Sequence, residues 1–358
     1  MKHLTRSARA LAALVALSLF TLLLAGCDAK GPDGSSEIRM QGAGATFPNP
    51  IYQKWFSEYN KANPGVKFDY QSIGSGGGIK QISEKTVDFG GSDAPMKDED
   101  LGKVQGQILH IPTVLGAVVL TYNIPGLTAD LKFSPDAIAG IFLGKIKKWN
   151  DPAIASTNEG VTLPANDITV VHRSDGSGTT YVFTDYLSKV SPEWKNGPGT
   201  GPSPSWPVGL GAKGNEGVTG QVKQSPNSIG YVELIYAEQN KLPAAAIKNA
   251  AGEWVKPSLD STSAAAAGAA IPDDLRVSIT NAPGAGAYPI SSFTYLLVYK
   301  DQADQAKGKA LVDFLWWATH DGEKMAKDMS YAPLPAEVVK KAEEKIKSIT
   351  HQGKPLRS

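Results

Sequence analysis

At 358 residues, 41% hydrophobic and 20% charged, the chain is globular in composition and long enough for two lobes around a substantial core. Its single cysteine excludes an intramolecular disulfide, so the fold must rest on that core. With 36 basic against 35 acidic residues, there is no electrostatic case for nucleic-acid binding.

Lys2, Arg6 and Arg9 precede an uncharged apolar run from Ala10 to Ala25, the pattern of a secretory signal peptide over residues 1–26. The run falls short of the roughly 20 residues that span a bilayer and ends in small residues, which argues against a plain transmembrane anchor. Leu24-Ala25-Gly26-Cys27 resembles the lipobox of bacterial lipoproteins, in which the leader is cut before a cysteine that then receives lipid. Cys27 is therefore the expected lipidation site, and the membrane is an expected partner through that anchor. Residues 27–36 read as a lipid-anchored tether, polar and Gly/Ser-bearing. Asp28 after Cys27 resembles the inner-membrane retention signal of enteric bacteria. Without the leader the chain carries 33 basic against 35 acidic residues.

From Glu37 onward, short apolar strands alternate with amphipathic helices, as in an α/β sheet protein. Ile51, Tyr52, Trp55, Phe56 and Tyr59 share one helical face, and Pro64-Gly65 ends that helix. Val66–Tyr70 alternates as a strand, Gly78–Lys85 reads as a second helix and Val87–Gly90 as a short strand. Two segments, Ile111–Asn123 and Tyr288–Lys300, are longer than the usual strand of about 5 to 6 residues, as expected if each runs from one lobe into the other. Residues 37–114 with 287–358 then form one lobe, and residues 115–286 the other. Between the long strands lie Ile168–Val171, a strand, and a helix from Thr179, followed by a loop-rich stretch at 196–217 and a low-complexity run at 261–270. Helices carrying Leu311, Phe314, Leu315 and Ala318, and then Val338, Val339, Ala342 and Ile346, close the chain as packing elements.

The stretch Arg173-Ser174-Asp175-Gly176-Ser177-Gly178-Thr179 sits at a predicted strand-to-helix turn. Unpaired N–H groups and the positive end of the helix dipole favour an anion there, glycines admit it closely, and Arg173 adds a forked cationic donor. The same seven residues also fit an ordinary Ser/Thr-capped helix with a surface arginine. Gly42–Pro48, with Thr46 and the Phe47 amide, and Gly74–Gly78, with Ser75, repeat the design at two more helix starts. Gly91-Ser92-Asp93-Ala94-Pro95 adds a carboxylate. Together these segments supply the hydroxyls, amides and arginine that hold a small tetrahedral oxyanion away from water.

Asp93 and Asp175 discriminate among oxyanions. A carboxylate repels an oxyanion unless the anion has a proton to donate, which phosphate has near neutral pH and sulfate lacks. A lone pair buried against a lone pair costs on the order of several kcal/mol. Asp93 also fits a plain turn or cap before a helix near Lys97, and Asp175 is placed to orient Arg173.

Gly42-Ala-Gly-Ala-Thr-Phe-Pro48, Ile73-Gly-Ser-Gly-Gly-Gly78, Val87-Asp-Phe-Gly-Gly-Ser-Asp-Ala-Pro95, Arg173–Thr179 and Ser228-Ile-Gly-Tyr-Val-Glu233 resemble, in order, the periplasmic phosphate-binding proteins of Pst-type phosphate ABC transporters. The likeness runs from Ile38 to Leu356. It implies a type II periplasmic-binding-protein fold, α/β and two-lobed, each lobe a mixed β-sheet flanked by helices, with phosphate in the cleft. It further implies that Thr46, the Phe47 backbone, Ser75 and Asp93 bind from the first lobe, and Arg173, Ser177, the Gly178 backbone and Thr179 from the second. Asp93 accepts the phosphate proton and Asp175 pairs with Arg173 in that comparison. The implied partners are inorganic phosphate and the permease and ATPase subunits of an inner-membrane importer, with a monomeric receptor and no cofactor. Ser174 and Gly76 depart from the family pattern, and some members are soluble in the periplasm.

A secreted phosphatase using the same pocket, or a receptor for sulfate or molybdate, are the competing readings. Ser177 lacks the preceding glycine of a nucleophile elbow, because Asp175 stands there. Five scattered histidines give no zinc spacing, and no Gly-Lys pair is followed by Ser or Thr, so no Walker A loop exists. Gly209-Leu-Gly-Ala-Lys-Gly214 matches a dinucleotide fingerprint, yet Ser203–Pro207 before it is a poor strand. No enzymatic activity is expected.

Overall fold

The computed structural model describes residues 37–357, so the expected signal peptide, Cys27 and tether lie outside the described residues. Three strand-to-helix or strand-to-loop units open the fold. β1 (Ile38–Gly44) leads to α1 (Asn49–Ala62), β2 (Val66–Ser72) to α2 (Ser75–Ser83), and β3 (Phe89–Ser92) to the Asp93 loop. β4 (Ile108–Asn123) and the short β5 (Lys132–Phe133) follow. Then β6 (Thr169–Arg173) leads to α3 (Gly178–Val190), β7 (Leu210–Ala212) to α4 (Gly214–Gln224), and β8 (Ser228–Glu233) to α5 (Leu234–Gln239). β9 (Ala246–Lys248) pairs with both β5 and β10 (Trp254–Val255) in a small sheet. α6 (Leu259–Ala266), β11 (Ser291–Tyr299), α7 (Gln305–Ala318) and α8 (Ala336–Lys347) complete the framework.

The main strands run in the order β2-β1-β3-β11-β4-β8-β6-β7. β1 is parallel to β2 and β3, and β6 is parallel to β7 and β8, while β11 and β4 run antiparallel to their neighbours. β4 joins the two halves of this sheet. Residues 108–117 pair with β11 and residues 118–123 with β8, so the sheet changes partner between Ala117 and Val118.

α1 forms because its apolar residues recur at helical spacing and Pro50 occupies its first turn, where a missing N–H costs nothing. Its Ile51, Tyr52, Trp55, Phe56 and Tyr59 are buried. Trp55 donates from Nε1 to the Gly322 carbonyl at 2.8 Å, satisfying its one polar atom. Phe56 stacks on Phe68 with centroids 5.1 Å apart, and Phe314 of α7 closes the cluster. Each such ring contributes about 1.5–3 kcal/mol of burial.

Several boundaries differ from the sequence expectations. α2 begins at Ser75, not Gly78, so its first turn is made of glycines despite their poor helix propensity. The reason at Gly78 is space: a Cβ there would lie 2.6 Å from both the Gly44 Cα and the Gly91 carbonyl oxygen. β3 starts at Phe89, because the Asp88 carboxylate takes the Gln41 amide at 2.7 Å in place of a ladder carbonyl. β11 is shorter than expected and enters the ladder only at Ser291, opposite Ala117. The run 261–270 contains most of α6, started by a capping box between Ser258 and Ser261. The loop-rich stretch 196–217 contains β7 and the first turn of α4.

Candidate anion-binding site

Parallel strands in α/β sheets present ligands at their carboxyl ends. Here the loops after β1, β2, β3, β6 and β7 bring together Thr46 and Phe47, Ser75, Asp93, Arg173 through Thr179, and Gly214-Asn215. The side chains of Thr46, Phe47, Ser75, Asp93, Ser177 and Thr179, and that of Arg173, are all buried. Their burial leaves every polar atom dependent on a partner inside the cluster.

Around Thr46 the carbonyls are tied off by tyrosines. Tyr70 donates to the Ala45 carbonyl at 2.9 Å, Tyr236 to that of Thr46 at 2.6 Å and Tyr331 to that of Phe47 at 2.6 Å. Three consecutive acceptors are thereby satisfied by hydroxyl donors, which removes their repulsion towards an anion near the same loop. Burial pushes all three tyrosine hydroxyls above their ordinary range, so they remain protonated donors.

Arg173 is held as a fork. Its Nε donates to Asp175 Oδ1 at 2.8 Å and its Nη2 to Asp175 Oδ2 at 2.5 Å, while Nη1 reaches Thr179 Oγ1 at 3.3 Å. Burial alone would raise the Asp175 carboxyl, but the guanidinium and the Gly214 amide, 3.0 Å away, hold it below the ordinary value. Ser177 caps α3, its Oγ accepting the Thr180 amide at 3.0 Å. The first amides of α3, those of Gly178 and Thr179, have no carbonyl one turn earlier in the helix.

Asp93 faces this group. Its Oδ1 accepts from Thr294 Oγ1 at 2.8 Å, its Oδ2 from Ser75 Oγ at 3.5 Å, and its own amide donates to Ser75 Oγ at 3.2 Å. Burial pushes the carboxyl up to about 7, against the pull of Thr294, Arg173 and Ser75. The two halves touch at the glycines: the Gly76 amide donates to the Gly176 carbonyl at 2.8 Å. A Cβ on Gly178 would collide with Ser75 Oγ and Asp93 Oδ2. His172, beside Arg173, is stacked on Trp206 at 4.7 Å.

A family model for the PBP superfamily domain matches residues 31–321. A phosphate-binding protein PstS from Pasteurella multocida is 50% identical over 320 residues, covering 88% of this chain and 92% of that one. Another from Xylella fastidiosa, strain Temecula1, is 48% identical over 312 residues, covering 86% and 85%. The chain belongs to the PstS family. A solved high-affinity periplasmic phosphate-binding protein with phosphate bound aligns with a TM-score of 0.71 at 24% identity, covering 86% of this chain and 93% of that chain; that likeness speaks to the fold.

Within this PstS-family fold, five contributors lie outside the motifs the sequence singles out for the site: Thr294 on β11, Asn215 at the start of α4, and the tyrosines Tyr70, Tyr236 and Tyr331. Asn215 donates from Nδ2 to Thr46 Oγ1 at 2.8 Å and to Thr179 Oγ1 at 3.1 Å. Its only sequence signal is the Gly209–Gly214 run that precedes a helix. Among the described residues no group of three or more His, Cys, Asp or Glu is placed to hold a metal ion, and no helix is long and apolar enough to cross a membrane.

Proposed function

We propose that this PstS-family chain is an exported receptor that captures inorganic phosphate between two lobes and hands it to the inner-membrane permease and ATPase subunits of an ABC importer, without chemical turnover. The lobes of this reading are residues 37–114 with 287–358, and residues 115–286. Phosphate is held by Thr46, the Phe47 amide, Ser75 and Asp93 on one side and by Arg173, Ser177, the Gly178 amide and Thr179 on the other, with Asp175 orienting Arg173. The protein acts as a monomer on the periplasmic side, tethered through lipid on Cys27.

The observation that carries this reading is a buried carboxylate, Asp93, set among buried hydroxyl, amide and guanidinium donors. Donors alone suit any oxyanion. The added acceptor suits one that carries a proton, which selects phosphate over sulfate. Titration calorimetry on the mature protein at about pH 9, where the Asp93 carboxyl is ionised, tests it, with submicromolar phosphate binding expected, about −8 to −10 kcal/mol, and weak sulfate heat as the control. Absent phosphate heat, or equal affinity for sulfate, overturns the proposal.

A further inference from the structure

Asn215 is fully buried at the N-terminal end of α4. Its Oδ1 accepts the Glu233 backbone amide at 3.0 Å, which fixes the amide orientation, since only the oxygen end can meet an N–H. The NH2 end therefore faces Thr46 Oγ1 and Thr179 Oγ1 and donates to both. Thr46 Oγ1 also accepts the Asn215 backbone amide at 3.1 Å, and Thr179 Oγ1 also accepts Arg173 Nη1 at 3.3 Å. A hydroxyl has two lone pairs and one proton. In both threonines the two lone pairs are engaged, and only the O–H remains to be directed elsewhere.

We propose that Asn215 is a positioning residue that makes the hydroxyls of Thr46 and Thr179 donors only, and that it does so for Thr46 only when the lobes are closed. The closure condition follows from the chain path: Thr46 follows β1 in one lobe, whereas Asn215 follows β7 in the other. In an open cleft Thr46 is free to turn a lone pair towards an incoming oxyanion, which repels it. Closure brings the Asn215 amide onto Thr46 and turns the hydroxyl proton to the anion. Anion affinity and lobe closure are thus coupled through one side chain that need not touch the anion. This inference rests on the phosphate-binding reading above.

The test is a double-mutant cycle read by phosphate calorimetry on wild type, Asn215→Ala, Thr46→Val with Thr179→Val, and all three substitutions together. Asn215→Ala is expected to weaken phosphate binding about tenfold or more in the wild-type background and by less than about twofold in the valine background. The proposal requires the first loss to exceed the second by more than about threefold. A smaller difference overturns it, because a residue that only packs the lobes together acts whether or not the hydroxyls are present. Asn215→Leu, close in shape and unable to hydrogen-bond, replaces the alanine variant in the cycle if the smaller side chain costs the fold. Wild-type protein that binds no phosphate overturns the functional reading itself, and this inference with it.

Discussion

Replacing Asp93 with Asn should make sulfate binding independent of pH. Sulfate has no proton to give near neutrality, so in the wild type it is accepted only when Asp93 itself is protonated. Burial pushes that carboxyl up to about 7 despite Thr294, Arg173 and Ser75. Protonating it therefore costs about 1.4 kcal/mol at one pH unit above that value and about 2.7 kcal/mol at two units. Wild-type sulfate affinity should fall about tenfold per pH unit above 7 and level off below it, because the protonated fraction rises as pH falls. The variant amide still offers an oxygen to Thr294 Oγ1 and has no proton to titrate, so its sulfate affinity should stay flat. At about pH 9 the variant should bind sulfate on the order of 100-fold more tightly than wild type, and its phosphate-to-sulfate preference should shrink. Calorimetric sulfate titrations between about pH 6 and pH 9 measure both slopes. A flat wild-type profile, or a variant that keeps the wild-type slope, refutes Asp93 as the group that checks the anion for a proton.

The remaining expectations come from the same geometry. Gly178→Ala sets a methyl against Ser75 and Asp93; phosphate affinity should drop about 100-fold or more while the melting temperature without phosphate changes little, and small-angle scattering should no longer show compaction on adding phosphate. Arg173→Ala leaves the Asp175 carboxylate without its fork and should lower phosphate affinity by at least about 100-fold, more than Arg173→Lys, as read by calorimetry. Asp93→Asn should also stabilise the protein without phosphate. The folded carboxyl, about 7 against an ordinary 3.8, contributes stability below the unfolded value that is lost as pH rises through 7, so the variant should melt higher at about pH 8, by up to about 4 kcal/mol of stability, with the gap closing below about pH 4. Cys27→Ser should release the protein from membranes in fractionation, and a wild type that is already in the soluble fraction contradicts the anchor.

What the sequence revealed of the site were features written locally. Arg173–Thr179, Gly42–Pro48 and Gly74–Gly78 each place glycine and hydroxyl residues at one helix start, and helical spacing is visible within a dozen residues. Partners contributed from elsewhere in the chain leave no such trace. Asn215 meets Thr46 across 169 positions, and Thr294 meets Asp93 across 201. Thr294 sits in a strand, Ser-Ser-Phe-Thr-Tyr-Leu-Leu-Val-Tyr, buried on both faces, where the alternation that separates inward from outward residues is lost. A lone threonine between Phe293 and Tyr295 is a hint only once its neighbour strand is known. The helix start at Ser75 is hidden from the sequence for a related reason: glycine propensity argues for a later start, whereas the close approach of Gly44 and Gly91 argues for glycine inside the helix.

On the proposed phosphate-binding reading, the charges of the site make closure matter more than attraction. The two forked contacts of Arg173 go to Asp175, leaving Nη1 directed at Thr179, and Asp93 adds negative character opposite it. A site so nearly balanced draws little from net charge, so in the proposed function the anion is held by oriented neutral dipoles: the hydroxyls of Thr46, Ser75, Ser177 and Thr179 and the amides of Phe47 and Gly178. Dipoles of that kind are effective only when water is excluded and their direction is fixed beforehand. The hydroxyls of Tyr70 and Tyr331 on the carbonyls of Ala45 and Phe47 fix one set. The second set is completed across the halves, where Tyr236 and Asn215 reach Thr46 and Gly76 reaches Gly176. On the proposed reading each of those bonds is lost when the lobes part, which makes the open cleft a poor anion site and the closed one a good one without any residue changing its charge.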